Sequence, residues 1–294
     1  MKKICELETC GKEFDSLRAS RKYCSVACFQ KASQTIHSIS KTKEDRIVVD
    51  LSSDEPLVIA VLADAHGNLE YIKYVVSEVQ KHDNWYIMIN GDLWDADQYS
   101  THPTLTVKSL SESVQEVKEL LLPVADKIIG YVWGNHEERC FRSASGKGTA
   151  PSYFDIFFEA IKARNPNFRY ALPMQSFIIN VTVKGKLYKT IFKHGKSAGR
   201  NFGVTEFHEI LDVNSEVNVI VLSHLHLPMH IIVKQVSTES IEEEENSFTN
   251  RTVHLVRTTS GIAFAPYQDK ANLYVSPMGI TKLIFNGDLK VELI

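Results

Sequence analysis

Short apolar runs alternate with amphipathic stretches along most of the chain. Five runs rich in Val and Ile are typical of buried strands and span residues 57–63, 85–90, 128–133, 190–193 and 217–222. Apolar residues recur at helical spacing in 69–81, 107–122 and 153–163, which predicts three helices. Strand patterns follow at 231–236, 251–257, 280–285 and 289–293. The alternation predicts an α/β (α+β layered) fold in which a mixed sheet packs against a second sheet.

Two pairs of strand-like segments are joined by short turns. Lys184-Gly185-Lys186 separates 177–183 from 187–192, and Asn286-Gly287-Asp288 separates the last two strands. Glycine at these positions tolerates the positive φ of tight turns, so both segments predict β-hairpins.

A short polar motif follows each of the five apolar runs. The motifs are Asp64-Ala65-His66, Gly91-Asp92-Leu93-Trp94-Asp95, Gly134-Asn135-His136-Glu137, Lys193-His194-Gly195 and Ser223-His224-Leu225-His226. Ligand sites of open α/β sheets lie beyond the carboxyl ends of the strands, so these motifs can converge on one rim. They supply two carboxylates, an amide and four imidazoles of metal-ligand type. That set fits two adjacent transition-metal ions, and paired ions of this kind hydrolyse phosphate esters.

The spacing within the motifs suits this role. The i, i+2 spacing of Asp64 with His66, and of His224 with His226, can aim both side chains the same way. Gly91 and Gly134 have no Cβ, so the backbone can turn tightly and bring the next residue close to a metal ion.

The ordered set D-x-H, G-D-x-x-D, G-N-H-E, H and x-H-x-H resembles the calcineurin-like metallophosphoesterase superfamily over roughly residues 57–294. One position departs from the family pattern, because Ser223 stands where a glycine is usual. The resemblance implies a two-sheet sandwich flanked by helices. It also implies an enzyme that hydrolyses phosphate esters with a metal-activated hydroxide.

The same resemblance implies a role for each motif residue. One metal ion would be held by Asp64, His66 and His226, and a second by Asn135, His194 and His224. Asp92 would bridge the two ions. Histidine nitrogens beside carboxylates favour Mn, Fe, Zn or Co over Mg or Ca.

Three further residues have candidate roles in turnover. His136 is the expected general acid for the leaving group, because an imidazole titrates near neutrality. Asp95 would orient His136. Arg139 could bind a substrate phosphate, and the alternative is a solvated loop charge or a pair with a nearby acid.

Four cysteines near the N-terminus suggest a second metal site. Cys5 and Cys10 form one pair, and Cys24 and Cys28 form another. Two close pairs of this kind are typical of a structural zinc site, and the segment resembles small treble-clef or zinc-ribbon modules. A redox pair or a disulfide framework is the alternative. The sequence thus predicts a zinc module over 1–33, a polar linker over 34–56 and a catalytic domain over 57–294.

Charge is distributed unevenly between these parts. Residues 1–46 carry a net charge of +4, against −7 for the rest. A basic zinc module favours contact with DNA or RNA, and a stability or docking role is the alternative. No signal-peptide pattern and no membrane-length apolar stretch is present in the sequence, which favours a cytoplasmic protein that does not span a membrane.

The motifs indicate the type of reaction but do not identify the substrate. A phosphodiesterase or nuclease acting on nucleic acid or nucleotides fits the basic zinc module, and the sequence resembles stand-alone phosphoesterases of phage or bacterial genomes. A phosphomonoesterase on a small molecule or protein is the alternative. Ala96-Asp97 after Asp95 differs from the Asp-Arg-Gly of Ser/Thr protein phosphatases and argues against that branch. A third hypothesis is a non-catalytic adaptor with a vestigial metal site.

Overall fold

The structure is a computed structural model that describes residues 2–5, 10–15, 24–25, 46–94, 109–145, 152–172, 175–195, 204–214, 216–237, 249–262 and 278–294. The chain divides into two compact units, residues 1–45 and 46–294. In the first unit, strands β1 (Lys2–Ile4) and β2 (Glu13–Asp15) pair antiparallel. None of the helices in these ranges is long and apolar enough to cross a membrane.

The second unit consists of strands and helices in alternation. Its strands are β3 (Arg46–Ser53), β4 (Leu57–Leu62), β5 (Trp85–Asn90), β6 (Ile128–Val132), β7 (Arg169–Ala171), β8 (Ser176–Val183), β9 (Lys186–Lys193), β10 (Val219–Leu222), β11 (Met229–Ser237), β12 (Thr249–Arg257), β13 (Thr281–Phe285) and β14 (Leu289–Leu293). Its helices are α1 (Leu69–Gln80), α2 (Leu110–Leu121), α3 (Asn135–Ser145), α4 (Ser152–Arg164) and α5 (Val204–Val213), with a 3₁₀ segment at Leu122–Lys127.

The strands form two six-stranded sheets of mixed direction. One sheet has the order β14-β13-β4-β5-β6-β7, and β4 to β7 run parallel. The other has the order β11-β12-β10-β9-β8-β3, and its neighbours β9, β10 and β12 run parallel. Parallel neighbours end at the same edge of a sheet, so both sheets can offer a row of strand ends to one site.

The layers of the fold form because the apolar strands are buried on both faces, between the sheets on one side and under helices on the other. Leu57 and Val61 of β4 lie in a core with Phe177 and Val181 of the other sheet, so the two sheets pack face to face. Ala60 and Leu62, on the opposite face of β4, belong to a second core with helices α1, α2 and α4. A third core packs α5 on the outer face of the sheet that contains β10. This arrangement confirms the predicted two-sheet α/β sandwich flanked by helices.

Most predicted elements match the observed ones. The three predicted helices correspond to α1, α2 and α4, with ends that differ by a few residues where they are described. The hairpin at Lys184-Gly185 is confirmed, and both turn residues have positive φ, as a type I′ turn requires.

The assignment of residues 46–53 to the polar linker is wrong, because they form strand β3 at the edge of a sheet. Ile47, Val49 and Leu51 pack towards the core between the sheets, while Arg46 and Asp50 are exposed. These residues alternate in burial as those of a half-buried strand do, but the polar residues on the exposed face made the segment resemble a linker. Residues 34–45 lie outside the described part of the chain.

Candidate metal centre

The five polar motifs follow the carboxyl ends of five strands. Three come after β4, β5 and β6 of one sheet, and two come after β9 and β10 of the other. Backbone hydrogen bonds tie neighbouring motifs together, from Asp64 N to Gly91 O (3.0 Å), His66 N to Asp92 O (2.9 Å) and Ser223 N to His194 O (3.0 Å). The strand ends of both sheets therefore contribute to one site.

A first group of ligand-type atoms is formed by Asp64, His66 and His226. Their candidate ligand atoms lie within 4.8 Å of one another. His226 Nε2 is 3.5 Å from Asp64 Oδ1 and 3.4 Å from His66 Nε2. Asp64 has no exposed surface, and its carboxylate accepts the backbone N–H of His224. These are the residues that the sequence assigned to one ion.

A second group is formed by Asp92, His194 and His224, also within 4.8 Å of one another. His194 Nε2 lies 3.1 Å from Asp92 Oδ2. His66 Nε2 lies 3.8 Å from the same oxygen, so Asp92 stands between the two groups. This position suits a carboxylate shared by two ions.

The side chain of Asn135 tests whether a cation fits the second group. One of its amide atoms lies 3.0 Å from His194 Nε2, 2.8 Å from His224 Nδ1 and 3.0 Å from Asp92 Oδ2. If that atom is the amide nitrogen, it donates to these acceptors. If it is the oxygen and both imidazoles are neutral, four lone-pair atoms face one another, and a divalent cation at their centre would stabilise the arrangement. The donor set of two imidazoles, a carboxylate and an amide oxygen fits such an ion.

Five of the residues in these groups have an unusual backbone conformation. They are Asp64 (φ 48°), His66 (φ 45°), Asp92 (φ 50°), His224 (φ 74°) and His226 (φ 54°). Among the non-glycine residues that the structure describes, Lys184 in the hairpin turn is the other one with positive φ. Left-handed backbone is disfavoured for residues with a Cβ, and such strain concentrates at functional sites.

The glycines of the motifs allow neighbouring motif segments to approach each other closely. A Cβ on Gly134 would lie 2.1 Å from Asp92 Oδ1. A Cβ on Gly91 would lie 2.4 Å from His194 Nδ1, and Gly91 also has φ +86°. Any side chain at either position would push ligand residues apart, so both positions require glycine.

His136 lies at the rim of this cluster. Its Nε2 is 4.0 Å from Asp92 Oδ2, and its ring meets the ring of His66 edge-on at 4.5 Å between centroids. Its side chain is 14% exposed, against 2% for Asp92, so it is the more accessible of the two to solvent. Arg139 is exposed on the same helix, with Nη2 3.2 Å from the second amide atom of Asn135. Asp95 lies outside the described residues, and its role remains a prediction.

Glu137 is a site residue that the sequence analysis missed. It is 1% exposed, and its carboxylate accepts the backbone N–H groups of Gly134 (2.9 Å), Asp92 (3.0 Å), Leu93 (2.7 Å) and Trp94 (3.4 Å). Burial, and then the charge of Asp92, raise the pKa of Glu137 to about 7. The carboxylate clamps the loop that carries Asp92 onto the start of α3. The available signal was an acidic residue in the first turn of a helix, which favours contact with free backbone N–H groups.

The protonation states of the histidines follow from their surroundings. Burial opposes a charge on His194, but the carboxylate of Asp92, helped by Asp64 and a hydrogen bond to Asn90 O (2.9 Å), raises its pKa to about 10. Burial lowers the pKa of His66 to about 3. Burial, and then the neighbouring charge of His194, lower the pKa of His224 to about 4. The metal-free cluster therefore holds His194 as a cation beside neutral His66 and His224.

Metal binding near pH 7.5 is expected to release a proton from His194. A metal ligand must be a neutral imidazole, whereas His194 is charged in the metal-free protein. Calorimetric titration with Mn²⁺ in two buffers of different ionisation enthalpy measures the number of protons released. Binding without any release would contradict the charged state.

The same shift makes the metal-free protein sensitive to pH. The folded-state pKa of His194 lies above the ordinary histidine value of 6.5. Its charge therefore stabilises the fold fully below about pH 6.5, and this contribution is lost as the pH rises through about 10.

Of the four N-terminal cysteines, three belong to the described residues. Candidate ligand atoms of Cys5, Cys10 and Cys24 lie within 4.8 Å of one another, with 3.6 Å between the sulfurs of Cys10 and Cys24. All three are free thiols, so neither member of the Cys5–Cys10 pair is in a disulfide. Cys28 lies outside the described residues.

Comparison with known proteins gives weak similarity. No family model and no curated protein matches the sequence. Among solved structures, an archaeal phosphodiesterase shares 12% identity, with 81% of this chain and 100% of that one covered at a TM-score of 0.41. A predicted phosphoesterase from Streptococcus pneumoniae shares 15% identity, with 82% and 90% covered at 0.38. A metallophosphoesterase from Sphaerobacter thermophilus shares 15%, with 81% and 88% covered at 0.40. All three TM-scores are below 0.5, so these similarities do not indicate a function.

Proposed function

We propose that this chain is a metal-dependent phosphoester hydrolase with a two-ion centre. The observation that carries the proposal is the buried cluster in which Asp92 stands between two groups of ligand-type atoms. Asp64, His66 and His226 would hold one ion, and Asn135, His194 and His224 the other, with Asp92 between them. Two divalent ions bound there would polarise a phosphate ester and lower the pKa of a water molecule.

The chain's own residues supply the remaining requirements. His136 is partly exposed beside Asp92, where an imidazole can give a proton to a leaving oxygen. Arg139 is exposed one turn further along the helix, where its guanidinium can bind a phosphate in bidentate fashion. Burial of the carboxylates excludes water from the ligand side of the cluster and strengthens their hold on cations.

Replacing His136 by alanine tests the proposal. We expect Mn²⁺-dependent hydrolysis of a dinucleotide phosphodiester to fall about 10²–10⁴-fold in kcat, because its alkoxide leaving group loses its proton donor. Metal content should stay that of the wild type, since His136 is not among the proposed ligands. His208→Ala changes an exposed histidine on α5 and is the matched control. Wild-type protein without phosphoesterase activity would refute the proposal, and an unchanged His136→Ala rate would refute the role of this residue.

For the substrate class, we propose a phosphodiester of nucleic acid or nucleotides. The support is the net charge of +4 over residues 1–46, which suits a polyanion. A phosphomonoesterase is the second candidate. Parallel assays with single- and double-stranded DNA and RNA, an aryl phosphodiester and an aryl phosphomonoester separate the two. Turnover of the monoester alone would overturn the diester proposal without touching the metal centre.

The N-terminal cysteines are proposed to hold one structural zinc ion. Three thiols lie close enough to share one ion, and Cys28 is the proposed fourth ligand. In Cys24→Ser protein purified without oxygen, we expect zinc content to fall by one equivalent, because a thiolate ligand is lost. Elemental analysis measures zinc, and Cys140→Ser controls for the loss of a buried thiol outside the group. Full zinc content in the Cys24 variant would contradict the assignment.

A further inference from the structure

A single buried side chain links the two sheets directly behind the metal centre. Asn90 is the last residue of β5 and has no exposed surface. Its amide nitrogen donates to Lys193 O (3.0 Å) and to Ser223 Oγ (2.6 Å), both on the other sheet. Lys193 and Ser223 each stand immediately before a proposed ligand, His194 and His224 respectively. Asn90 therefore holds both ligand-bearing chain segments through the residue that precedes each ligand.

The backbone of Asn90 also contacts the other sheet, in addition to its side chain. The backbone oxygen of Asn90 is 2.9 Å from His194 Nδ1, which fixes the ring so that Nε2 points towards Asp92. Asp92 itself follows Asn90 by two residues. The distance between the bridging carboxylate and His194 is thus set by hydrogen bonds that cross between the sheets at Asn90.

Ser223 completes the link on the second sheet. It is 2% exposed, and its hydroxyl accepts from Asn90 Nδ2 and from Thr258 Oγ1 (3.0 Å). Thr258 follows β12, so the hydroxyl is held by strand ends of both sheets. A glycine at position 223 could make neither hydrogen bond. The departure of Ser223 from the family pattern therefore has a structural partner in Asn90.

We infer that the side chains of Asn90 and Ser223 are positioning residues that set the geometry of the second ion group. They hold His194 and His224 at the correct distance from Asp92 and Asn135, without contacting a metal ion themselves. Of the first group, Asp64 and His66 follow β4 on the same sheet as Asn90, and only His226 lies on the segment that follows Ser223. This inference rests on the proposed two-ion centre and assigns part of its assembly to the cross-sheet link.

The test is the binding of Mn²⁺ to full-length Ser223→Ala and Asn90→Ala proteins. Calorimetry measures the two dissociation constants, and electron paramagnetic resonance reports the spin-coupled Mn²⁺ pair. We expect one of the two binding events to weaken about 10–100-fold, which is the usual effect of losing a partner that orients ligands. The other event should weaken by a smaller factor, because His226 is the one ligand of the first group that lies on the segment after Ser223. The coupled signal should need correspondingly more Mn²⁺, and saturating Mn²⁺ should restore most of the rate.

Asn165→Ala is the matched control. Asn165 Nδ2 donates to Ile128 O (2.9 Å), at the opposite end of β6 from the site. Its loss should lower the unfolding temperature without changing either dissociation constant. If Asn90→Ala cannot be purified folded, Ser223→Ala carries the test, because it deletes one hydroxyl only.

The outcomes separate this inference from the proposed function. Unchanged dissociation constants in both variants, or equal weakening of both events, would overturn the positioning role while the two-ion centre stood. A wild-type protein that bound no pair of ions would overturn both. Selective weakening of one event, absent from Asn165→Ala, would support the inference.

Discussion

Replacing Asp92 by asparagine is expected to lower kcat/KM for a phosphodiester by about 10³-fold or more. A shared carboxylate balances the charge of two cations, and its loss removes several kcal/mol of electrostatic stabilisation, at about 1.4 kcal/mol for each factor of ten. Asp92 lies between the two groups of ligand-type atoms, 3.1 Å from His194 Nε2 and 3.8 Å from His66 Nε2. Among the carboxylates of the described residues, Asp92 is the one that belongs to two of the candidate groups of metal-ligand atoms.

The measurement combines steady-state kinetics with metal content. Asp92→Asn protein should hold fewer than two ions after gel filtration, and its residual rate should rise with added Mn²⁺. Asp126→Asn changes an exposed carboxylate on the 3₁₀ segment and is the control. Wild-type turnover in Asp92→Asn protein would mean that Asp92 does not bridge the ions.

Replacing Glu137 by glutamine is expected to destabilise the protein by about 3 kcal/mol. The two carboxylate oxygens accept four backbone N–H groups, whereas a glutamine turns an N–H₂ towards at least one pair of them. Each buried N–H left without an acceptor costs about 1–3 kcal/mol. Because two of these N–H groups belong to Asp92 and its neighbour Leu93, the loop of the bridging residue should move as well. A displacement of about 1 Å can lower a rate about 10²-fold.

Urea unfolding and kcat are measured on the same variant. Glu209→Gln changes an exposed carboxylate on α5 and is the matched control. We expect the Glu137 variant to shift the urea midpoint with an unchanged slope, while the Glu209 variant stays within about 0.5 kcal/mol of the wild type. If the two variants had the same urea midpoint and the same kcat, Glu137 would not hold the Asp92 loop in place.

The sequence was sufficient for those parts of the fold that depend on local patterns. Strands such as β4 and β10 are continuously apolar because both of their faces are buried, so they stand out from their surroundings. The Lys184-Gly185 turn is equally local, because glycine at a position of positive φ specifies a tight hairpin. Strand β3 could not be found in this way, since half of its residues face solvent at a sheet edge.

The sequence also predicts the candidate ligands, because each motif follows a recognisable strand and the ordered motifs resemble those of a known superfamily. What the sequence could not supply was the partnership between residues far apart in the chain. Glu137 contacts the Asp92 loop across 45 positions, and Asn90 contacts Ser223 across 133. Both contacts are hydrogen bonds of a single side chain, and the periodic pattern of apolar residues in the sequence gives no sign of them. The site's supporting residues are therefore the part that required a structure.

The left-handed backbone of the five ligand residues bears on the hypothesis of a vestigial site. Asp64, His66, Asp92, His224 and His226 each hold a conformation that costs a residue with a Cβ about 1–2 kcal/mol relative to glycine. If the site were vestigial, nothing in the chain's function would offset this cost. Bound ions would offset it, because the ligand bonds would form in the conformations that these residues already hold. The five conformations therefore favour a metal-binding centre over a vestigial one.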